Sequence, residues 1–262
     1  MKADELKIYL TTSNSYIHIL KIFSFLFNKY WDSEKEVIIL GFDRHPEFEL
    51  PSNFKFVSLG TQAPVWSDMC ADVRHMLTDA IQDDYFIWLE ENEFLIRPVN
   101  NAILNEYNAY INPDLARIDL TPGTSERAHT VIKQTSEYDI ICADQNAELK
   151  ITARASIWNR QYLLDINQQS IHPHHWEPKL SSLAKNHNFK VYSSSRKWAF
   201  TNMDGVHHRA GQYVTDLACV GRSGIMNRDS SRGLKVEEET LAELLDLGYV
   251  RKRPDGLYDI IE

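Results

Sequence analysis

The chain has 262 residues, of which 43% are hydrophobic and 11% aromatic, and its formal net charge is −9 at pH 7. This length suits one large domain, or one domain with an appendage, and the apolar content is sufficient for a buried core. The negative charge argues against nucleic acid as the main partner, because binding a phosphate backbone requires a basic surface. A local basic pocket for a small phosphate ligand is still compatible with this composition.

Cysteine usage and hydropathy indicate the compartment. The three cysteines are scattered, odd in number and form no metal-type pair, which is typical of a reducing cytosol; they are Cys70, Cys142 and Cys219. The N-terminus MKADELKIYL is charged and lacks the apolar core of a signal peptide, so we expect no targeting segment. The longest apolar run, residues 17–27, is interrupted by His18 and Lys21 and is too short to span a bilayer. We expect a cytoplasmic protein without a transmembrane segment, with attachment to a membrane surface as the alternative.

The first half of the chain alternates predicted strands and helices. Apolar and β-branched runs predict strands at residues 7–10, 37–41, 54–59 and 85–89. Helical spacing predicts helices at 17–30, capped by Ser15, and at 68–81, capped by Ser67 with Asp68 favourably placed near the helix dipole. Strand–helix–strand units at this spacing predict an α/β fold with a mostly parallel sheet and right-handed crossovers.

The second half is less regular. A helix is expected at residues 100–110, an extended entry and helix start at 155–164, and a further helix after Glu177 that ends near residue 186. Polar composition predicts a loop at 202–211. Further strands are expected at 115–120, 138–142, 149–153 and 189–192.

The C-terminal part has a different character. Residues 221–224 and 227–233 are typical of linkers, so we divide the chain into a domain at 1–220 and an accessory segment at 221–262. Within that segment, residues 237–247 form a predicted amphipathic helix that ends at Gly248. A small hairpin is predicted around residues 254–256, a Pro-Asp-Gly turn. We expect the segment to pack on the domain or on a partner.

The most informative stretch is the acidic cluster Glu90, Glu91, Asn92 and Glu93, which directly follows the buried strand Tyr85-Phe86-Ile87-Trp88-Leu89. In open α/β sheets, ligands bind beyond the carboxyl ends of the strands. Hard oxygen ligands at that place suit Mg²⁺ or Mn²⁺ carrying a phosphate. The alternative interpretation is a solvated acidic turn.

Two common nucleotide-binding classes lose support from the sequence. Neither GxGxxG nor GxxxxGK[ST] occurs, which disfavours both a Rossmann dehydrogenase and a P-loop NTPase. A bound nucleotide would therefore be held by a metal and by polar loops. One such loop follows the first predicted strand and contains Thr11 and Ser13.

Several segments occur in an order that resembles the small single-domain GT-A glycosyltransferases of bacteria and large viruses. The resemblance covers roughly residues 7–211. It rests on a strand with a Thr/Ser loop, Trp66-Ser67-Asp68, the acidic cluster with Phe94-Leu95 and Pro98-Val99 after it, Ser156 to Leu163, Trp176-Glu177 and Val206 to Gly211. The resemblance implies a Rossmann-like GT-A fold. It also implies a cytoplasmic enzyme, of a bacterium or a virus-infected cell, that moves a sugar from a nucleotide diphosphate sugar, UDP-sugar in particular, to a glycan or other hydroxyl acceptor.

In that family the acidic cluster corresponds to the Asp-x-Asp motif that binds the metal and the donor diphosphate. The matching positions are Glu90, Glu91 and Asn92, with Glu91-x-Glu93 as the alternative frame. Asn92 places a neutral amide where the motif has a carboxylate, so the resemblance implies a weakened Mn²⁺ or Mg²⁺ site.

The later motifs also acquire roles from the resemblance. Glu177 corresponds to an acidic residue on the acceptor side that acts as general base in an inverting transfer; the alternative is a first-turn glutamate that satisfies the helix dipole. His207 and His208 would supply a metal ligand or a diphosphate contact, and Arg209 would neutralise the leaving diphosphate; the alternative is an exposed polar loop.

Two other groups are interpreted without reference to the donor. His172, His174 and His175 could form a separate metal site, although a proline-interrupted loop offers no fixed ligand geometry. Trp66 and Trp158 are expected to be mainly structural. Two function classes stay open: a glycosyltransferase, or a non-catalytic relative that binds a nucleotide or a glycan.

Overall fold

The structure is a computed structural model that describes residues 2–62, 69–121, 124, 127–204, 206–209, 212–215 and 236–262. The strands are β1 (Ile8–Thr11), β2 (Val37–Gly41), β3 (Phe54–Ser58), β4 (Tyr85–Glu90), β5 (Glu93–Leu95), β6 (Leu115–Asp119), β7 (His129–Gln134), β8 (Asp139–Ala143), β9 (Ser156–Asn159), β10 (Lys190–Ser195), β11 (Asn202–Asp204), β12 (Val206–Arg209), β13 (Gln212–Thr215), β14 (Val250–Lys252) and β15 (Tyr258–Ile260). The α-helices are α1 (Leu20–Tyr30), α2 (Met69–His75), α3 (Asn101–Glu106), α4 (Arg160–Ile166), α5 (Pro173–Ala184) and α6 (Glu238–Asp246).

Short irregular helices extend several of these elements. A 3₁₀ turn, Ile17–Ile19, precedes α1, and another, Tyr107–Tyr110, follows α3. Helix α2 continues as a π-helix, Met76–Ala80. The Arg160 side chain donates to the carbonyl oxygens of Leu77 (2.9 and 2.7 Å) and Ile81 (2.7 Å), which satisfies backbone groups at the end of this π-helix.

Nine strands form the central sheet, in the order β3-β2-β1-β4-β9-β6-β10-β8-β7. The first four are mutually parallel, as the strand–helix–strand spacing predicts. Strand β9 is antiparallel to both of its neighbours, β10 is parallel to β6, and β8 and β7 continue in antiparallel pairing. The fold is therefore α/β with a large mixed sheet, consistent with a Rossmann-like architecture.

Helices cover both faces of this sheet. Alternate residues of each central strand belong to different cores: Ile87 and Leu89 of β4 pack with α1 and α3, whereas Phe86 and Trp88 pack with α2, α4 and α5. This period of two is the expected consequence of strand geometry. It explains why β4 is a continuous apolar run in sequence, since both faces of the strand are buried.

The C-terminal helix and hairpin form as predicted, and they pack on the domain. Val236, Leu244, Val250 and Ile260 are buried in the same core as α1. The hairpin also joins a separate four-stranded sheet, in the order β12-β13-β15-β14. The predicted linkers at 221–224 and 227–233 lie outside the described residues.

Four local predictions differ from the structure. Ser15 does not cap the first helix. The helix is preceded by the 3₁₀ turn Ile17–Ile19, and the N-cap position of that turn is Tyr16, which makes no side-chain cap hydrogen bond. Helix α5 begins at Pro173, before Glu177, and the ring nitrogen Nδ1 of His172 accepts from the backbone N–H of His174 (3.3 Å) at its start.

The other two differences concern strands. Residues 149–153 were expected to be extended but form a turn and bends, with Leu149 at a φ of 47° and the Ser181 hydroxyl bonded to both backbone groups of Ile151. Residues 202–211 were predicted to be a loop, but they contain β11 and β12. Strand β11 pairs with β5, which is distant in sequence, and β12 pairs with the following strand, β13. Strands β5, β7 and β13 were not predicted. Among the described residues, no helix is long and apolar enough to cross a membrane.

Candidate functional site

The order of the sheet defines where a ligand would bind. From β1 the chain proceeds outward to β2 and β3, and then returns to place β4 on the other side of β1. The carboxyl ends of β1 and β4 therefore meet at a topological switch point, the place where open α/β sheets bind ligands. Thr11 and Glu90 are register partners at these two strand ends. The structure thus brings the predicted Thr/Ser loop and the acidic cluster together.

Thr11 ties the two strand ends to each other. Its hydroxyl donates to the carbonyl oxygen of Leu89 (3.3 Å) and accepts from the indole N–H of Trp88 (2.9 Å). Ser13 lies further along the loop, half-buried, and its carbonyl oxygen accepts from the backbone N–H of Tyr16 (3.0 Å). Thr11 therefore holds the ends of β1 and β4 together, while the Ser13 hydroxyl has no intramolecular hydrogen bond in the described part of the chain.

A polar network that the sequence patterns do not predict joins the loops after β1, β2 and β3. The Asn14 side chain donates to Oδ1 of Asp43 (2.6 Å), and its backbone N–H donates to Oε1 of Gln62 (2.9 Å). The backbone N–H of Arg44 donates to Oδ1 of Asn14 (3.1 Å). The hydrogen bond from Asn14 holds the pKa of Asp43 below its usual value, so this exposed carboxyl is ionised at neutral pH. Its position two residues after a predicted strand was the available sequence signal.

The acidic cluster separates into residues with different surroundings. Glu93 is 7% exposed, and its Oε2 accepts from the backbone N–H of Ala155 (2.9 Å). Burial raises the pKa of Glu91 to about 8, and this half-buried carboxyl has no ion pair within the described residues. Within the described residues, the Oδ1 atom of Asn92 is buried without a hydrogen-bond partner. Glu93 therefore supports the fold, whereas, within the described residues, Oδ1 of Asn92 lacks a donor and the Glu91 carboxyl lacks an ion pair.

Backbone pairing places the predicted histidine segment beside this cluster. Strand β5 pairs with β11, and Asp204 is the register partner of Glu93. His207 follows Asp204 by three residues, which limits the distance along the chain to about 10 Å. The structure describes only the backbone at His207, His208 and Arg209, which belong to β12.

Glu177 lies close to the same edge and helps to fix the segment that enters β9. Its Oε1 accepts from the backbone N–H of Ala153 (2.8 Å). Glu93 holds Ala155 in the same way, and the Ser156 hydroxyl donates to the carbonyl oxygen of Arg154 (2.7 Å). Two glutamates therefore hold the backbone on either side of Arg154. Ser156 pairs with Trp88 of β4, so this segment adjoins the acidic cluster.

A buried ion pair beneath this segment was not predicted. The guanidinium of Arg117 lies 3.2 Å from the carboxylate of Asp119, and both side chains are 0% exposed. Arg117 also donates to the hydroxyl of Thr152 (2.6 Å), and Asp119 accepts from the backbone and hydroxyl groups of Thr121 and Thr124. Burial lowers the pKa of Arg117, and the negative charges of Asp119 and Glu177 oppose that effect. The pair fixes the carboxyl end of β6.

The remaining candidates fall into two groups. Trp158 is structural as predicted: it is fully buried, with its ring 6.2 Å from that of Trp88. His172, His174 and His175 are exposed, with ring centroids 5.3 and 6.1 Å from that of His172. Asp68 and Trp66 lie outside the described residues.

The arrangement places the oxygen atoms of Glu91 and Asn92 after β4, the Glu177 carboxylate near the same edge of the sheet, and a fixed backbone segment between two glutamates. Across the portion of the chain that the structure describes, no group of three or more His, Cys, Asp or Glu residues could hold a metal ion by itself. Neither a protein-family model nor a curated protein matches this sequence.

Proposed function

We propose that this chain is a nucleotide-sugar-dependent glycosyltransferase of the GT-A type. It would transfer a sugar from a nucleotide diphosphate sugar, UDP-sugar in particular, to a hydroxyl group of a glycan or similar acceptor. One observation carries the proposal: β4 ends at Glu90, and Glu91 and Asn92 follow it directly, at the switch point beside β1. This is the position from which an α/β sheet binds a phosphorylated ligand.

The nucleoside would lie over the loops that follow β1, β2 and β3. Asp43 presents an ionised carboxylate there, held in place by Asn14. A carboxylate after the second strand of such a sheet is suited to accept hydrogen bonds from ribose hydroxyl groups. The diphosphate would then point toward the end of β4.

The residues at the end of β4 fit a hard divalent cation. Glu91 is a half-buried carboxyl without an ion pair in the described part, and Oδ1 of Asn92 is a buried acceptor without a donor. Oxygen atoms of this kind are the ligands that Mg²⁺ and Mn²⁺ prefer. When bound, the cation would stabilise the negative charge that develops on the leaving diphosphate. Arg209, in the neighbouring β12, would contribute to the same charge compensation.

Glu177 would act as the general base. Its Oε1 accepts from the backbone of Ala153, which fixes the carboxylate and leaves Oε2 for the acceptor hydroxyl. In the transfer, the acceptor oxygen forms a bond to the anomeric carbon while the bond from that carbon to the diphosphate oxygen breaks. The hydroxyl proton passes to Glu177, and the diphosphate leaves with the electron pair, so the anomeric configuration inverts.

A non-catalytic relative is the second candidate, and two observations favour it. Asn92 is a neutral amide, which lowers the charge available for a cation. Glu177 uses one carboxylate oxygen to hold the backbone of Ala153, a role that needs no chemistry. Such a protein would bind a nucleotide or a glycan without turnover.

One experiment separates these functions. The chain is incubated with Mn²⁺ and a panel of UDP-, GDP- and dTDP-sugars, and both binding and release of the nucleoside diphosphate are measured. Release from at least one donor in the wild type, and its loss in Glu91→Ala, would support the transferase. Tight binding without release would favour the non-catalytic relative, and absence of binding to every donor would refute the donor site.

A further inference from the structure

The strand that carries His207, His208 and Arg209 is held from two sides. On one side, β11 pairs with β5, the strand that begins at Glu93, and only residue 205 separates β11 from β12. On the other side, β12 pairs with β13. The first connection leads to the acidic cluster, and the second leads away from it.

The second connection ends in the C-terminal segment, residues 236–262. Strand β13 pairs with β15, with Thr215 opposite Tyr258 and Val214 opposite Asp259. Strand β15 is supported in turn by β14, and Asp259 forms ion pairs with Arg251 (2.9 Å) and Arg253 (2.9 Å). Within its own sheet, β12 is therefore linked to the rest of the described chain through β13 and β15.

The C-terminal segment is in turn anchored to α1. The Tyr30 hydroxyl donates to Glu237 (2.9 Å) and lies 2.8 Å from the hydroxyl of Thr240. Lys29 donates to both carboxylate oxygens of Glu243 (2.8 and 2.9 Å). Since α1 follows the β1 loop at the switch point, this anchoring links the far end of the small sheet to the same domain that carries the acidic cluster.

We infer that residues 236–262 are a positioning element for the candidate diphosphate site: they hold β12 in place beside the end of β4. The ligand named here, a nucleoside diphosphate, rests on the proposed function. The positioning itself rests on the strand pairing and on the contacts with α1. The segment would thus be needed for recognition of the diphosphate and not for recognition of the nucleoside.

The structural half is tested without a ligand, by hydrogen exchange of the backbone amides. Tyr30→Phe removes the hydroxyl that contacts Glu237 and Thr240, and no residue of the candidate site is changed. We expect protection to fall by roughly fivefold in peptides that contain residues 238–246 and 206–209, since one buried hydrogen bond contributes about 1 kcal/mol. Tyr9→Phe is a matched control, because it removes a hydroxyl bonded to Asp83 (2.7 Å) away from this segment. Reduced protection at 238–246 with unchanged protection at 206–209 would overturn the inference.

The functional half uses a chain that lacks residues 236–262, with circular dichroism to establish folding. We expect its affinity for UDP with Mn²⁺ to fall by at least about tenfold, while its affinity for uridine stays near that of the full chain. Equal affinity of both chains for UDP would contradict the inference. If the shortened chain does not fold, the exchange experiment on Tyr30→Phe decides alone. Failure of the full chain to bind any nucleoside diphosphate would refute the proposed function and leave the exchange result as a test of the positioning.

Discussion

Glu91 is a half-buried carboxyl, and the loss of solvent raises its pKa to about 8. Between its ordinary value of 4.5 and this raised value, the folded chain binds a proton that the unfolded chain releases. The contribution of Glu91 to stability is therefore fully present below the lower pKa and is lost as pH rises toward the higher one. This behaviour distinguishes Glu91 from an exposed acidic turn.

We predict that the free energy of unfolding, measured with a chelator present, declines between pH 5 and pH 8 more in the wild type than in Glu91→Gln. The glutamine keeps the shape of the side chain and has no proton to lose. The difference should be at most a few kcal/mol. Urea unfolding followed by fluorescence at each pH provides the measurement. Parallel pH profiles for the two proteins would show that Glu91 is not buried as described.

Glu91 and Glu93 should separate ligand binding from stability. The backbone N–H of Ala155 loses its acceptor in Glu93→Ala, which should lower the free energy of unfolding by about 1–3 kcal/mol. Glu93→Gln, which keeps an acceptor oxygen, should cost less. Glu91→Ala should instead weaken binding of a nucleoside diphosphate with Mn²⁺ and leave the fold intact. If calorimetry shows that Glu93→Gln abolishes binding as Glu91→Ala does, the ligand frame is Glu91-x-Glu93.

Glu177 allows a sharper separation of chemistry from structure. Glu177→Gln can still accept from the backbone of Ala153 but cannot take a proton, so turnover should fall by roughly two to four orders of magnitude with little change in donor affinity. Glu177→Ala should lose both functions and also lower stability. Steady-state kinetics on the two variants, with the anomeric configuration of the product determined by NMR, gives the comparison. Near-normal turnover of Glu177→Gln, or a retained configuration, would rule out Glu177 as the base.

Among the secondary-structure elements, the sequence best predicts the strands that are buried on both faces by the elements packed against them. Strands β1, β2 and β4 are apolar on both faces, and their runs are unambiguous. Strand β7 was not predicted, because every residue in it except His129 is exposed and the sequence therefore shows no alternation of apolar and polar residues. Strands β11 and β12 were missed because their polar residues become extended only by pairing. Residues 149–153 show the opposite case: Ile151 is apolar, but the hydroxyl of Ser181 holds its backbone in a bend.

The candidate site was predictable to a similar degree. The acidic cluster follows a buried run and was visible for that reason. Arg117 and Asp119 were not recognised, although their spacing of two within LARID places both on one face of a strand. Arg117 donates to Thr152, which is distant in the chain, and Asp119 accepts from Thr121 and Thr124 in the loop that follows β6. Local sequence patterns do not predict such contacts.

The carboxyl end of β6 should be among the least tolerant elements of the fold. Asp119→Ala leaves a buried Arg117 without its counter-charge and removes the acceptor of four hydrogen bonds from Thr121 and Thr124. Breaking a buried pair in this way should cost about 3–5 kcal/mol. Arg117→Met should cost less, because Asp119 keeps those four donors. Chemical denaturation of both variants measures the difference, and an equal or smaller cost for Asp119→Ala would contradict the structure.

In the complete sheet, the loops proposed to bind the nucleotide follow the parallel strands β1, β2, β3 and β4. Strand β9 lies antiparallel beside β4, and this brings the segment held by Glu177 to the same edge of the sheet. Short-range patterns gave the α/β class but not this insertion, because β9 is adjacent to β4 in space and far from it in sequence. The C-terminal segment likewise packs in the same core as α1, although its composition resembles that of an appendage. Both features depend on long-range pairing.

A ligand that binds this assembled edge should stabilise the whole chain. Binding to the folded state alone raises the free energy of unfolding by about 2.7 kcal/mol when the free ligand is at 100 times its Kd. For a chain of this size, that increase corresponds to a rise in Tm of roughly 5–10 °C. We therefore expect UDP, GDP or dTDP with Mn²⁺ to raise the Tm in differential scanning calorimetry, and the rise to follow the logarithm of ligand concentration. Glu91→Ala should show no rise while keeping a Tm near that of the unliganded wild type. If no nucleoside diphosphate raises the Tm of the wild type, with or without Mn²⁺, the switch point between β1 and β4 is not a donor site.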